Sequence, residues 1–473
     1  MVVQHNLRAM NANRMLGITT GVLSKSSEKL SSGYKINRAA DDAAGLAISE
    51  KMRKQMRGLT QASSNAEDGI SAVQTAEGAL TEVHDMLQRM NELAVKAANG
   101  TNALSDRQTI QDEVDQLLTE IDRVAETTKF NEIYLLKGDA NRVEKYLQAK
   151  DAGIDGQLQD GATTATFTMN ALQFGDSISI GGKQYQIGLV GTDGVDAAKA
   201  IVDSMASGEL ITIDGVQYTL TDNAAEENAD KNILTKDKLQ GKIVEQSSVL
   251  YKGKTYHVMK DDVSVNGDKK ADDVDDVDAS VITAAKAYSM IRQELTLANS
   301  IGAKTGGNAE VADVVMDDQT NPTKAIFTFD KGKYDVQEAL NFNLHVGADA
   351  DMTNKIGVTI DALDTRGLGI NGLNVKDSTG AYATYAIDSI AEAIAHVSKQ
   401  RSMIGAIQNR LEHTINNLDN VVENTTAAES QIRDTDMATE MVKYSNANIL
   451  QQAGQSMLAQ SNQANQGVLS LLQ

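Results

Sequence analysis

The stretch that decides the fold runs from Leu59 to Ala97 and reads LTQASSNAEDGISAVQTAEGALTEVHDMLQRMNELAVKA. Counting along it in steps of three and four gives a series that no charged or amide side chain interrupts: Leu59, Ala62, Ala66, Gly69, Val73, Ala76, Leu80, Val83, Leu87, Met90, Ala94 and Ala97. An apolar series with a mean spacing of about 3.5 residues predicts one long helix with a coiled-coil-like seam. Because a single helix cannot bury its own stripe, it needs partner helices of comparable length.

Two other regions are predicted to supply these partners. The turn signal Asn99-Gly100 ends the first helix, and Ser105 followed by Gln108 resembles a capping box for a return helix over 105–129. That helix carries the apolar stripe Ile110, Val114, Leu117, Ile121 and Val124. Heptads reappear from about residue 386 to 424, before a break near Thr425–Asp436. The pattern therefore predicts a bundle to which both halves of the chain contribute.

The two ends of the chain have heptad rows of their own. These rows recur every seventh residue and are Leu16, Leu23 and Leu30 near the start and Leu450, Met457, Ala464 and Leu471 near the end. Beside the second row runs a companion row of mostly small residues that includes Ala447, Gly454 and Ser461, which permits close approach of another helix. Gly17 and Gly21 lower the helix propensity of the first segment, so we expect both end helices to be marginal until partners bury their seams.

The middle of the chain has a different character, because the heptads vanish between residues 140 and 380. Three segments alternate apolar and polar residues around a two-residue turn that ends in glycine: 178–185, 211–218 and, more weakly, 249–256. This pattern predicts β-hairpins. Helical segments are expected at 195–206 and 281–300, and strands at 325–329 and 356–360. The predicted fold class is therefore a mainly α, coiled-coil-like helical bundle formed by both termini, with an α+β, hairpin-rich central insert.

Composition excludes several classes of function. The chain of 473 residues has no cysteine, and its net charge is −21. A disulfide scaffold and a thiolate metal site are therefore excluded, and binding to nucleic acid is not expected. No apolar run approaches the ~18 residues that a membrane span requires, so membrane insertion is not expected either. The N-terminal segment does not read as a cleavable secretory signal.

Catalytic, cofactor and metal sites are not expected. The six histidines are scattered, and none forms the HExxH spacing of a metallopeptidase. The acidic run from Asp272 to Asp278 lacks the glycine and final glutamate of an EF-hand loop and is interpreted as a solvated face. Two alternatives stay open for residues 140–320, namely an enzyme and an adhesin-like binding domain.

Both ends of the chain closely resemble bacterial flagellins. The segments that carry the resemblance are MVVQHNLRAMNANRML, LSSGYKINRAADDAAGLAISEKMR and LQRMNELAVKAANGT at the N-terminal end and GAIQNRLEHTINNL, AAESQIRDTDMATEM and ILQQAGQSMLAQSNQANQGVLSLL at the C-terminal end. They cover roughly residues 1–140 and 340–473. The resemblance implies a structural, non-enzymatic subunit that polymerises into the extracellular flagellar filament and needs no cofactor.

The resemblance also implies a division of the chain and a set of partners. The expected parts are an N-terminal inner-tube helix with linker (1–45), the two halves of a helical shell domain (46–140 and 341–436), an outward-facing insert (141–340) and a C-terminal inner-tube helix (437–473). The heptad rows of the end helices then become candidates for the polymer core. Expected partners are further copies of the chain, a flagellar export chaperone and a cap protein, with unfolded export through the flagellar type III channel.

A further implication of the resemblance is recognition by a vertebrate Toll-like receptor. The matching positions are Arg89 and Leu93 in LQRMNELAV and Glu113 in the return helix. An arginine beside apolar surface suits a binding hot spot. The alternative is that Arg89 and Glu113 are ordinary solvated charges of a helical rod. Because neighbouring subunits would compete for the same face, recognition is expected to favour the monomer over the filament.

Overall fold

Long helices dominate both ends of the chain. The computed structural model describes residues 6–261, 272–318, 322–377 and 379–470. Within these ranges the chain forms eight α-helices: α1 (Leu7–Ser32), α2 (Ala43–Ala98), α3 (Leu104–Thr127), α4 (Gly191–Asp203), α5 (Lys236–Gln240), α6 (Ala284–Ser300), α7 (Ala381–Arg433) and α8 (Met437–Ser470). The fold class predicted from the heptads is therefore confirmed.

Strands occupy the region between α3 and α7. In the described part of the chain they are β1 (Lys129–Phe130), β2 (Ile133–Tyr134), β3 (Arg142–Tyr146), β4 (Gln157–Asp160), β5 (Thr164–Asn170), β6 (Ser177–Ile180), β7 (Lys183–Ile187), β8 (Leu189–Val190), β9 (Leu210–Ile213), β10 (Val216–Leu220), β11 (Ile233–Leu234), β12 (Ser248–Tyr251), β13 (Lys254–Met259), β14 (Val281–Ile282), β15 (Glu310–Val311), β16 (Val315–Met316), β17 (Lys324–Asp330), β18 (Lys333–Gln337), β19 (Leu340–His345) and β20 (Lys355–Ile360).

The seam of α2 is buried along its whole length. All twelve positions of the series from Leu59 to Ala97 are buried. Each large apolar side chain in it stabilises the fold by about 1.5–3 kcal/mol relative to exposure. Gly69 lies close to Leu344 in this series, because a Cβ at this position would lie 2.2 Å from Cδ1 of Leu344 and would have to displace that side chain.

Two helix boundaries differ from their predicted places. At the start of α3 the carboxylate of Asp106 accepts the backbone N–H of Ala103 at 3.1 Å, so Ser105 lies inside the helix and does not cap it. The break predicted near Thr425–Asp436 is present but shorter, because α7 continues to Arg433 and α8 begins at Met437. Thr426 does not interrupt the helix, since its hydroxyl donates to the carbonyl of Val422 at 2.7 Å.

The chain divides into two compact units. One comprises Met1–Val73, Phe342–Val358 and Ala406–Gln473, and the other comprises Gln74–Asn341 and Thr359–Gly405. We call them the terminal unit and the insert unit. The division falls inside α2 and α7, whereas the five-part division at residues 45, 140, 340 and 436 stays a prediction.

In the terminal unit, α2 and α7 pack together and against the segment that carries β19 and β20. Ala66, Val346, Ile356 and Leu411 form one buried apolar cluster. A second buried cluster consists of Leu59, Ala62 and Leu418. Beside the first cluster, the side-chain amide of Asn65 donates to the carbonyl of His345 at 2.9 Å.

In the insert unit, all three predicted hairpins form: β6–β7, β9–β10 and β12–β13. Their two-residue turns are Gly181-Gly182, Asp214-Gly215 and Lys252-Gly253, and every residue in them has a positive φ. Paired positive φ values match the twist of an antiparallel hairpin. The second and third hairpins join in a six-stranded sheet, whose order is β11-β10-β9-β12-β13-β8.

The first and last described strands of the insert pair with each other. β3 and β18 form an antiparallel ladder from Arg142 opposite Gln337 to Tyr146 opposite Lys333. The chain therefore begins and ends the insert side by side.

A buried polar cluster ties the insert to α7 within the insert unit. Asn299 accepts the backbone N–H of Lys150 at 2.7 Å and donates to the Lys150 carbonyl at 2.9 Å. The ammonium of Lys150 donates to the Ser389 hydroxyl at 2.5 Å and lies 3.6 Å from Glu392. Burial lowers the pKa of Lys150 and raises the pKa of Glu392.

Candidate assembly surface

The helices at the two ends of the chain, α1 and α8, pair with each other inside the terminal unit. Leu16, Leu23 and Leu30 of α1 are half-buried. On α8, Ala447 is buried, and a Cβ at Gly454 would lie 3.3 Å from Cδ1 of Leu16. The small companion row therefore contacts α1, as its composition predicts.

A buried hydrogen bond joins the same two helices. The hydroxyl of Ser26 donates to the carboxylate of Glu440 at 2.6 Å, and both residues are buried. The ammonium of Lys443 lies 3.2 Å from the other carboxylate oxygen. The hydrogen bond from Ser26 is the main cause that lowers the pKa of Glu440, with Lys443 and Lys29 acting in the same direction. The carboxylate therefore remains charged within the helix pair.

The opposite faces of α1 and α8 expose large apolar side chains. These side chains are between 49% and 68% exposed and are Leu7, Met10, Met15, Ile18 and Val22 on α1 and Met437, Met441, Val442, Ile449, Leu450 and Met457 on α8. We call this set the outer face. Exposed apolar patches of more than a few hundred Å² mark sites of protein interaction.

The heptad rows predicted for α1 and α8 differ in exposure. Leu450, Met457 and Ala464 are exposed and available to another molecule. Leu16, Leu23 and Leu30 contribute to the pairing within the chain, and Leu471 lies outside the described residues.

Sequence reasoning missed the apolar residues on the outer face of α1. Met15, Ile18 and Val22 follow one another at spacings of three and four, so a second apolar row was present beside the heptad. The heptad of leucines alone did not indicate that α1 has two apolar faces.

Contacts between residues 33–35 and residues 433–435, which we call the joint, connect the helix pair to the rest of the terminal unit. Lys35 donates its backbone N–H to the carbonyl of Arg433 at 2.6 Å, and Thr435 donates to the carbonyl of Gly33 at 3.0 Å. The guanidinium of Arg433 lies 4.8 Å from the centre of the Tyr34 ring and pairs with Glu50 at 2.8 Å. This ion pair lowers the pKa of Glu50.

The receptor-binding candidates lie in the insert unit, and the structure separates them. Arg89 is half-exposed, donates to Glu113 at 2.8 and 2.9 Å, and also pairs with Glu92 at 3.1 Å. The hydrogen bond to Glu113 is the main cause that raises the pKa of Arg89. Leu93, by contrast, is only 3% exposed. Arg89 and Glu113 therefore form one surface pair, and Leu93 lies in the core.

Sequence reasoning also missed Arg107, which is buried next to the end of α2. Its guanidinium donates to the carbonyls of Ala97 at 2.9 Å, Asp377 at 3.0 Å and Asn99 at 3.3 Å. It thus satisfies carbonyls that the end of α2 leaves without helical partners.

Within the described ranges, no group of three or more histidine, aspartate or glutamate side chains is placed to hold a metal ion. None of the described helices is long and apolar enough to cross a bilayer.

Comparison with known proteins gives consistent matches across the chain. Residues 3–141 match the family model of the bacterial flagellin N-terminal helical region, and residues 387–472 match that of the C-terminal helical region. A flagellin of Clostridium tyrobutyricum is 39% identical over 469 residues, which cover 98% of this chain and 100% of that protein. A flagellin of Halalkalibacterium halodurans is 34% identical over 472 residues and 100% of both chains. Flagellin B of Vibrio anguillarum is 33% identical over 470 residues and 99% of both chains.

Proposed function

This chain belongs to the bacterial flagellin family, a family of structural subunits of the extracellular flagellar filament, and we propose that its outer face is the surface through which copies polymerise. The observation that carries the proposal is the row of large apolar side chains that α1 and α8 leave exposed after pairing with each other. Burying such side chains between subunits stabilises a polymer by about 25 cal/mol per Å² of apolar area.

The test compares seeded polymerisation of matched variants. We expect Leu450→Ser combined with Met457→Ser to raise the critical concentration at least tenfold, because both side chains lose apolar area from the proposed contact. Val277→Ser is the control, since Val277 is 74% exposed and belongs to neither α1 nor α8. Electron microscopy and sedimentation measure the polymer. Equal critical concentrations for the two variants would show that the outer face is not the contact.

The joint and the helix pair lead to a second expectation about the termini. With glycine-weakened propensity in α1, we propose that α1 and α8 are ordered fully only when neighbouring subunits cover the outer face. Limited proteolysis is expected to cut the termini of the monomer and to spare them in the filament. Equal protection in both states would contradict this.

We also propose that the chain leaves the cell unfolded through the flagellar type III channel. A cytoplasmic export chaperone would cover the apolar residues of α8 before export, and a cap protein would receive the subunit at the filament tip. The exposed apolar rows of α8 support a chaperone, because such surfaces otherwise cause aggregation. Co-purification of the chain with its chaperone, and its loss in Ile449→Ser with Leu450→Ser, would test this step.

The second proposal is recognition by a vertebrate Toll-like receptor through Arg89 and Glu113. Arg89 is half-exposed and held by Glu113, so little side-chain entropy remains to be lost on binding. Leu93 would act from beneath by packing α2, since it is buried. We expect Arg89→Ala to reduce receptor activation by the monomer at least tenfold. Arg123→Ala is the matched control, because Arg123 is also exposed and paired within α3 to Glu120. Full activation by the Arg89 variant would remove the proposal.

A further inference from the structure

Most of the exposed methionines in the described part of the chain lie on the outer face. The chain has 17 methionines and no cysteine. Among the described methionines, those at least 36% exposed are Met10, Met15, Met352, Met403, Met437, Met441 and Met457. Five of these seven lie on the exposed faces of α1 and α8, and only Met352 and Met403 lie elsewhere.

We propose that Met10, Met15, Met437, Met441 and Met457 form an oxidation site through which hydrogen peroxide blocks polymerisation of the free subunit. The inference rests on the proposed function, since it requires that the outer face becomes buried between copies. It assigns to these five residues a modification that the unassembled chain undergoes faster than the filament.

The chemistry is an oxygen transfer that needs only the named oxidant. The thioether sulfur attacks one oxygen of hydrogen peroxide, the O–O bond breaks, and a sulfur–oxygen bond forms. Sulfur is oxidised by two electrons. The hydroxide that leaves takes the proton from the oxygen now bound to sulfur and becomes water. One peroxide thus converts one methionine into its sulfoxide. Because the chain has no cysteine, no thiol competes for the oxidant.

The structure explains why oxidation matters here. A sulfoxide is polar, so a surface that has to become buried would then contain polar groups without partners. The other members of the outer face include Leu7, Ile18, Val22, Ile449 and Leu450, whose side chains offer no hydrogen-bond donor. Oxidation at Met352 or Met403 leaves this face unchanged, which makes these two residues a natural control.

Assembly reverses the exposure. In the filament the outer face is covered by neighbouring subunits, so peroxide reaches the five methionines slowly. Oxidation rates of the same residues in monomer and in filament therefore report directly on whether the outer face is buried. Peptide mass spectrometry gives the rate at each position, with Met352 and Met403 as internal references.

The experiment treats the full-length monomer with hydrogen peroxide and then measures seeded polymerisation. We expect a critical concentration at least tenfold above that of the untreated protein, and recovery after treatment with methionine sulfoxide reductases. Replacing the five methionines with leucine is expected to give a chain that polymerises equally well with and without peroxide. The matched control, Met352→Leu with Met403→Leu, is expected to remain sensitive.

The outcomes separate the two proposals. If the untreated protein does not polymerise, the proposed function fails and this inference fails with it. If untreated and oxidised protein polymerise alike, only this inference is overturned. Should the five-leucine variant fail to assemble even without peroxide, the oxidation rates of the unmodified sequence decide. Slower oxidation of the five residues in the filament, relative to Met352 and Met403, supports the inference, and equal rates overturn it.

Discussion

Replacing Ser26 with alanine tests how the helix pair α1–α8 contributes to assembly. The Ser26 hydroxyl makes a 2.6 Å hydrogen bond to the buried carboxylate of Glu440. Hydrogen bonds to charged groups contribute ~1.5–3 kcal/mol when buried. Because Lys443 still contacts the other oxygen of Glu440, we expect a loss of about 2 kcal/mol. If the pair orders on assembly, this loss raises the critical concentration of polymerisation about 30-fold, since 1.4 kcal/mol corresponds to a factor of ten.

Ser27→Ala is the matched control for this experiment. Ser27 lies next to Ser26 on α1 but is exposed, so the same change of side chain is expected to alter stability by less than about 0.5 kcal/mol. A cycle with Glu440→Gln and the double variant isolates the coupling between the two side chains. Equal critical concentrations for the Ser26 and Ser27 variants would refute the reasoning.

The pH dependence of the Ser26 effect follows from the same contact. The hydrogen bond lowers the pKa of Glu440 in the folded pair below its ordinary value. A carboxyl whose folded pKa is lowered contributes stability above its unfolded pKa, and this contribution is lost as the pH falls through the folded value. The difference between Ser26→Ala and the parent is therefore expected to be largest at neutral pH and to shrink in acid. A difference that grows on acidification would contradict this sign.

Three further changes test the fold. Asn299→Ala removes the side chain that bonds to both the N–H and the carbonyl of Lys150. We expect the free energy of unfolding of the insert unit in urea to fall by about 3 kcal/mol, and the Lys150 amide to exchange hydrogen faster. An unchanged exchange rate would contradict this. Leu87→Ala creates a cavity in the seam of α2 and is expected to cost ~2–5 kcal/mol, measured by circular dichroism in urea. Glu132 has a φ of 69° in the β1–β2 turn, a conformation that a residue with a Cβ disfavours. Glu132→Gly is therefore expected to add about 1 kcal/mol of stability, measured as a higher temperature of thermal unfolding. A lower unfolding temperature would contradict strain at this turn.

The elements predicted correctly from the sequence are those whose signal is local. The twelve seam positions of α2 are buried as expected, because the spacing of apolar residues alone indicates which side of the helix faces the core. The three hairpins form because glycine in the second turn position permits the positive φ that the turn requires.

The elements that the sequence did not predict depend on residues far apart in the chain. The leucine heptad of α1 predicts a partner helix, but the pattern does not distinguish a partner in the same chain from one in another copy. Arg107 and Asn299 form their contacts with carbonyls and amides that any residue could supply, so no side-chain pattern indicates them. The separation of Arg89 from Leu93 arises because residues four apart on α2 differ in exposure where α3 packs beside them.

The ladder between β3 and β18 has a consequence for how such proteins diversify. Because Arg142 and Gln337 stand opposite each other, the segment between them starts and finishes at one place, whatever its length. A replacement that keeps β3 and β18 keeps its two attachment points side by side, whereas the bond from Lys150 to Ser389 of α7 is lost with the original segment. The paired strands β3 and β18 are thus a fixed attachment point, at which a foreign domain can replace the segment between them and be displayed on a polymer.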